Sequence, residues 1–142
     1  MTLYEIVKGF ENIALRMPLI KTAEDGSIYE IMNANPSIKY GVFVVTQNTH
    51  RSDEMFDYYG LTLFYCDRLD SDRENNRLQI QSFGKQVLEN VIHLFCDEFD
   101  LDLPTITYNT WTQQFMDITA GCYAQFELEC PKCAICPEEY ES

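Results

Sequence analysis

The chain has 142 residues, with 23 Asp and Glu against 10 Lys and Arg, for a formal net charge of -13. That length suits one domain, and a content of 46% hydrophobic residues excludes a chain that is disordered throughout. So acidic a surface, with no Lys/Arg cluster, argues against docking on a phosphate backbone. It suits a basic protein partner, a wall that repels nucleic acid, or solubility alone.

Leu3, Val7, Phe10, Ile13 and Ala14 recur at helical spacing, and Thr2 with Glu5 has the spacing of a capping box. Pro18 ends or kinks that helix. The same stretch carries Glu5 and Lys8 inside its apolar pattern, so it does not read as a secretory leader. No segment approaches the roughly 20 apolar residues of a membrane span. Folding in a cytoplasm is therefore expected, with the six cysteines as thiols or metal ligands rather than disulfides. Glu24-Asp25-Gly26 reads as a turn. Ser27–Asn33 reads as a short helical or extended piece with its own capping-box spacing (Ser27, Glu30), broken by Asn35-Pro36. Tyr40–Gln47 is β-branched and aromatic, hence a strand, and Asn48–Asp57 follows as a polar loop.

Tyr58–Arg68 is a second strand, apolar on both faces. Leu61, Leu63 and Tyr65 point one way, and Thr62, Phe64 and Cys66 the other. Such a strand needs cover above and below, and a chain this small has little to supply both, which hints at assembly. Ser71-Asp72-Arg73-Glu74 has capping-box spacing before a long helix. The core stripe expected there is Ile80, Phe83, Val87, Val91, Leu94 and Phe95, with Gln79, Gln86, Glu89 and Asn90 opposite. Gly84 within the stripe would allow another backbone to approach, or is merely tolerated. Beyond Pro104, strands are expected near Thr105–Phe115 and Thr119–Glu129, with a tight turn or bulge at Met116–Ile118. In the last strand Cys122, Ala124, Phe126 and Leu128 face inward, and Tyr123, Gln125, Glu127 and Glu129 face water. Short connections favour antiparallel hairpins. The fold class is α+β, a two-layer sandwich of a four-stranded antiparallel sheet with helices on one face. Residues 1–129 form the single domain and 130–142 a Cys/Pro/Glu-rich tail.

Cys130, Cys133 and Cys136 stand at two successive Cys-x-x-Cys spacings, which can wrap thiolates around zinc or an iron–sulfur cluster. A closed site needs a fourth ligand. Cys122 and His93 are the candidates in this chain, yet neither stands at motif spacing, so the best assignment is no metal and no cofactor. A tail that docks on a neighbour or is mobile, or a reactive thiol pair beside Lys132, is the alternative reading of these cysteines. The acidic run Asp67–Glu74 lacks the Gly and the closing Glu of a calcium loop, and helix capping explains it. His93 reads as a packing residue beside the helix stripe, and His50 as part of the polar loop. No nucleophile, phosphate-cradling loop or zinc-hydrolase motif occurs, so no enzyme is expected. Met55-Phe56-Asp57-Tyr58-Tyr59 could pack inside or anchor an interface.

The segments YGVFVVTQNTH (Tyr40–His50), YYGLTLFYCDRLDSDRENNRLQIQSFGKQVLENV (Tyr58–Val91) and AGCYAQFELE (Ala120–Glu129) resemble a small neck or tail protein of crAss-like Bacteroides phages. Those proteins are similar to the ring-forming tail-completion and tail-terminator proteins of tailed phages. The resemblance covers most of residues 1–130 and leaves out the cysteine tail. It implies a virion protein, assembled in the cytoplasm of a bacterial host, whose copies ring the DNA conduit between neighbouring portal, neck or tail rings. DNA would be only the passing content of the lumen, and an acidic wall would keep it from sticking. Candidate contacts between copies are Phe43, Val45, His50, Arg51, Phe56, Tyr58, Tyr59, Leu61, Phe64, Asp67, Arg68 and Trp111. The alternative is a small cytoplasmic interaction module that holds zinc with the C-terminal cysteines.

Overall fold

The computed structural model describes residues 1–34, 37–69, 76–114 and 118–132. In chain order the elements are α1 (Leu3–Ala14), β1 (Thr22–Asp25), α2 (Ile28–Ala34), β2 (Val42–Ser52), β3 (Phe56–Arg68), α3 (Asn76–Glu98), β4 (Thr107–Gln114) and β5 (Ile118–Pro131). The strands form one sheet in the order β1-β2-β3-β5-β4. The class is α+β, as expected, but the sheet has five strands and is mixed. β1 runs parallel to β2, and the other pairings are antiparallel. The extra strand lies where a Glu24-Asp25-Gly26 turn was expected. Its sequence, TAED, has little strand propensity, and what defines it is pairing with β2. Gly26, at φ 123, then turns the chain away.

Parallel neighbours need a long crossover, and here α2 provides it. α2 lies on the sheet face opposite α1 and α3, where Ile28 and Met32 pack against Val42, Val44 and Cys66. The expectation that all helices share one face is thereby corrected. β3 is buried on both sides, and the chain supplies much of the second cover itself. Leu61, Leu63 and Tyr65 join the main core, while Cys66 joins the cluster under α2.

α1 carries the expected capping box: the Thr2 hydroxyl accepts from Glu5 N at 3.2 Å, and Glu5 reaches back to Thr2 N. The Phe10 ring stacks on Phe95 at 3.9 Å, which joins the two long helices over the sheet. The buried side of α3 is Ile80, Gly84, Val87, Leu88, Val91, Ile92, Phe95 and Cys96, with Gln81. Phe83 and Leu94, expected in the stripe, are exposed. They lie on one flank of the helix, and Gly84 lies on the buried side against the sheet. A Cβ there would stand 2.9 Å from Tyr65 Cδ1 and 3.1 Å from Cys122 Cβ. Gln81 compensates for its own burial by donating to the Trp111 carbonyl at 3.1 Å.

β5 alternates as expected and continues past Glu129, through Cys130, to Pro131. Asn35-Pro36, the acidic run from Asp70 to Glu74 with its capping box, the Met116-Asp117 turn, and Cys133 and Cys136 lie outside the described residues.

Candidate assembly surface

β1 pairs only with Val42–Val45, and β4 meets β5 only from Ile118 to Gln125. Beyond them β2, β3 and β5 continue as a three-stranded tongue made of Thr46–Ser52, Phe56–Leu61 and Phe126–Pro131. Much of the tongue was read from sequence as the polar loop Asn48–Asp57. It is strand instead, because main-chain pairing resumes after an irregularity between Gln47 and Thr49, where Asn48 Nδ2 donates to the Thr62 hydroxyl at 2.7 Å. Polarity was a poor guide because one face of the tongue is wet.

The tip is closed by Asp53, whose carboxylate accepts from Phe56 N at 2.8 Å, Met55 N at 2.9 Å and the Tyr58 hydroxyl at 3.0 Å. These donors hold that carboxyl below its ordinary range. On the outer face Arg51 donates from Nε and Nη2 to the two Glu127 oxygens, at 3.1 and 2.7 Å, which depresses the Glu127 carboxyl. The same guanidinium lies 3.9 Å from the centre of the Tyr58 ring. On the inner face His50 stacks on Tyr59 at 4.4 Å and stands 3.5 Å from Asp57.

Of the twelve candidate contact residues, six lie on this tongue, and four of them, His50, Arg51, Phe56 and Tyr58, are outside the buried core. Phe43, Val45, Tyr59 and Leu61 belong to the main core and are unavailable to a partner. Strand alternation aims all four at the face covered by α1 and α3, and the Tyr59 hydroxyl donates to the Met1 carbonyl at 3.2 Å. Phe64 and Trp111 sit half-buried at the margin of the cluster under α2, with Phe64 5.6 Å from the Tyr123 ring. Arg68 is exposed at the end of β3, and burial pushes the neighbouring Asp67 carboxyl up.

Two features escaped the sequence reading. β4 is an edge strand whose eight residues, Thr107–Gln114, include no charge and no proline. The open edge of β2, Thr46–Ser52, contains no acidic residue in a chain that has 23. Exposed edges are usually guarded by charge, proline or a bulge; β4 has neither charge nor proline, while the β2 edge carries Arg51 and the irregularity at Gln47–Thr49 but no acid. The signal available was the uncharged run TYNTWTQQ itself.

Cys130 is buried in β5, 1% exposed and facing the main core, while Cys133 and Cys136 lie outside the described residues. Burial raises the thiols of Cys66 to about 12 and of Cys96 and Cys122 to about 11, so all three stay protonated near neutrality. Among the described residues no group of three or more His, Cys, Asp or Glu could hold a metal ion. No helix among them is long and apolar enough to cross a membrane. His93, expected to be a packing residue, is exposed on α3. No protein-family model and no curated protein matches the chain.

Proposed function

We propose that the protein is a virion structural component whose copies join edge to edge in a ring, at the head–tail connector, neck or upper tail of a tailed phage. The observation that carries this reading is the pair of acid-free strand edges on opposite sides of one sheet, β4 on one and Thr46–Ser52 of β2 on the other. Two different edges that meet make a heterologous contact, which closes into a ring when the rotation between copies allows it. The edges are also where copies of so acidic a chain can approach with least repulsion. The resemblance of Tyr40–His50, Tyr58–Val91 and Ala120–Glu129 to phage neck and tail proteins points the same way. On this reading the remaining acidic surface faces the DNA conduit and the adjacent portal, neck or tail rings, and assembly takes place in the host bacterial cytoplasm.

Native mass spectrometry and particle imaging of the full-length chain test the proposal. A closed oligomer of one mass is expected. Thr110→Lys with Thr112→Lys puts like charges along β4 and should yield folded monomers with an unchanged circular dichroism spectrum. A wild-type chain that stays monomeric at every concentration, with or without a tightly bound zinc, overturns the proposal. So does an oligomer indifferent to the two lysines.

A further inference from the structure

After α3 the chain folds back against the last turns of the helix. Leu101 N donates to the Cys96 carbonyl at 2.8 Å, and the Cys96 thiol lies 3.8 Å from the Asp102 carbonyl. Between the helix and the returning chain is a groove of about 460 Å³, lined by His93, Leu94, Cys96, Asp97, Asp100, Leu101 and Leu103. Leu94 and Leu103 present exposed apolar surface to it, 43% and 50% exposed. The segment Asp97-Glu98-Phe99-Asp100-Leu101-Asp102 has four acids in six residues.

This arrangement works against local stability. The last turn of α3 has no basic residue, so Asp97 and Glu98 add negative charge where the helix carbonyls already concentrate it. Asp100 takes φ 53, a conformation that glycine adopts more cheaply. Arg16 reaches Glu98 at 3.4 Å, an exposed pair worth little, and among the described residues Asp97, Asp100 and Asp102 make no ion pair. The acids are not gathered as metal ligands, and the Cys96 thiol in the groove is protonated near neutrality. An unfavourable charge pattern kept beside open apolar surface suits a complementary ligand.

We propose that this groove docks a basic segment of a different protein, with an aliphatic side chain seated among Leu94, Leu101 and Leu103 and Lys or Arg side chains meeting Asp97 and Asp100. Charge complementarity selects the occupant. A second copy of a chain with net charge -13 would bring mostly like charge to the same place. The proposal stands independently of the ring.

The probe is a fluorescein-labelled peptide repeating Lys-Leu-Ala, titrated with the full-length protein at physiological salt and read by anisotropy. Asp97→Asn with Asp100→Asn should weaken binding about tenfold, and Leu103→Gln several-fold. Glu24→Gln with Glu30→Gln, which removes the same charge from exposed sites elsewhere, should change it less than about twofold. A peptide with serine in place of leucine should bind poorly. Three results overturn the proposal: no binding by the wild-type chain, equal weakening by the remote pair, or equal binding of the serine peptide. Loss of self-association in the Asp97→Asn, Asp100→Asn variant overturns it too, since the groove would then hold another copy.

Discussion

Gly84→Ala should destabilise the protein, although it places a better helix former inside a helix. The helical preference of alanine favours the variant by roughly 1 kcal/mol. Against this, the new Cβ would lie 2.9 Å from Tyr65 Cδ1 and 3.1 Å from Cys122 Cβ, both closer than ordinary contact. The Tyr65 ring cannot retreat: a Cβ on Gly41 would likewise stand 2.9 Å from its Cε2 and its hydroxyl oxygen, and Gly121 packs against its carbonyl. Three of the six glycines thus surround one 2%-exposed tyrosine in the middle of the sheet. With the neighbours pinned, overpacking falls in the upper part of its usual range of about 1–3 kcal/mol. The net loss is then about 1–2 kcal/mol, or a urea midpoint lower by roughly 0.5–1 M with an unchanged slope. The measurement is equilibrium unfolding by circular dichroism at fixed protomer concentration, with the exposed Ser82→Ala as a propensity control. A midpoint for Gly84→Ala at or above wild type would refute the argument. A second check is the double variant with Tyr65→Leu: if the ring is what the Cβ meets, Gly84→Ala becomes less costly in that background.

Phe43→Ala should cost about 3–5 kcal/mol, read as lost cooperative unfolding rather than lost association, because Phe43 is wholly buried within one subunit. Cys130→Ser should cost about 1–3 kcal/mol by placing a hydroxyl in the core, and chelators should not move the melting temperature of the wild-type chain. Burial, followed by a hydrogen bond with Asp25, raises the Glu11 carboxyl above its ordinary value, and Lys8 opposes this at 3.3 Å. A raised carboxyl favours the folded state below its unfolded pKa, and that contribution is lost as pH rises through the folded one. Glu11→Gln should therefore melt higher than wild type at about pH 8 and match it near about pH 4. The opposite order in a thermal-melt series would refute the assignment.

What the sequence conveyed well was anything decided by side chains acting locally. The Thr2–Glu5 box, the two buried faces of β3 and the inward set Cys122, Ala124, Phe126 and Leu128 follow from spacing alone, and the structure has all three. What it conveyed poorly was anything decided by a distant partner. β1 is a strand because Val42–Val45 lies beside it, and Thr46–Ser52 remains strand because Leu61–Asp57 lies opposite. Neither stretch has the apolar alternation that marks a half-buried strand. The stripe of α3 was drawn too wide on one flank, onto Phe83 and Leu94, whereas Gly84, placed in the stripe, does lie against Tyr65 and Cys122. For the candidate surface, residue type picked out four residues outside the core on the tongue but also drew in four core residues. Large apolar side chains look alike in sequence whether they serve the core or an interface.

The distribution of charge, rather than its sum, links the two proposals. A net charge of -13 makes every approach between copies unfavourable at long range, so a contact must combine short-range attraction with locally low charge. The edges of β4 and of Thr46–Ser52 meet both conditions. The end of α3, with four acids in six residues, lacks the low charge a second copy needs, and that same charge attracts a basic segment. Salt should then act on the two contacts in opposite directions. The Debye length falls from about 10 Å at 0.1 M to about 3 Å at 1 M, which screens the general repulsion but leaves strand pairing largely intact. Self-association should strengthen over that range while the Lys-Leu-Ala peptide is released. If both contacts weakened together, the edges would be held by charge, and the acid-free edges would no longer explain the assembly.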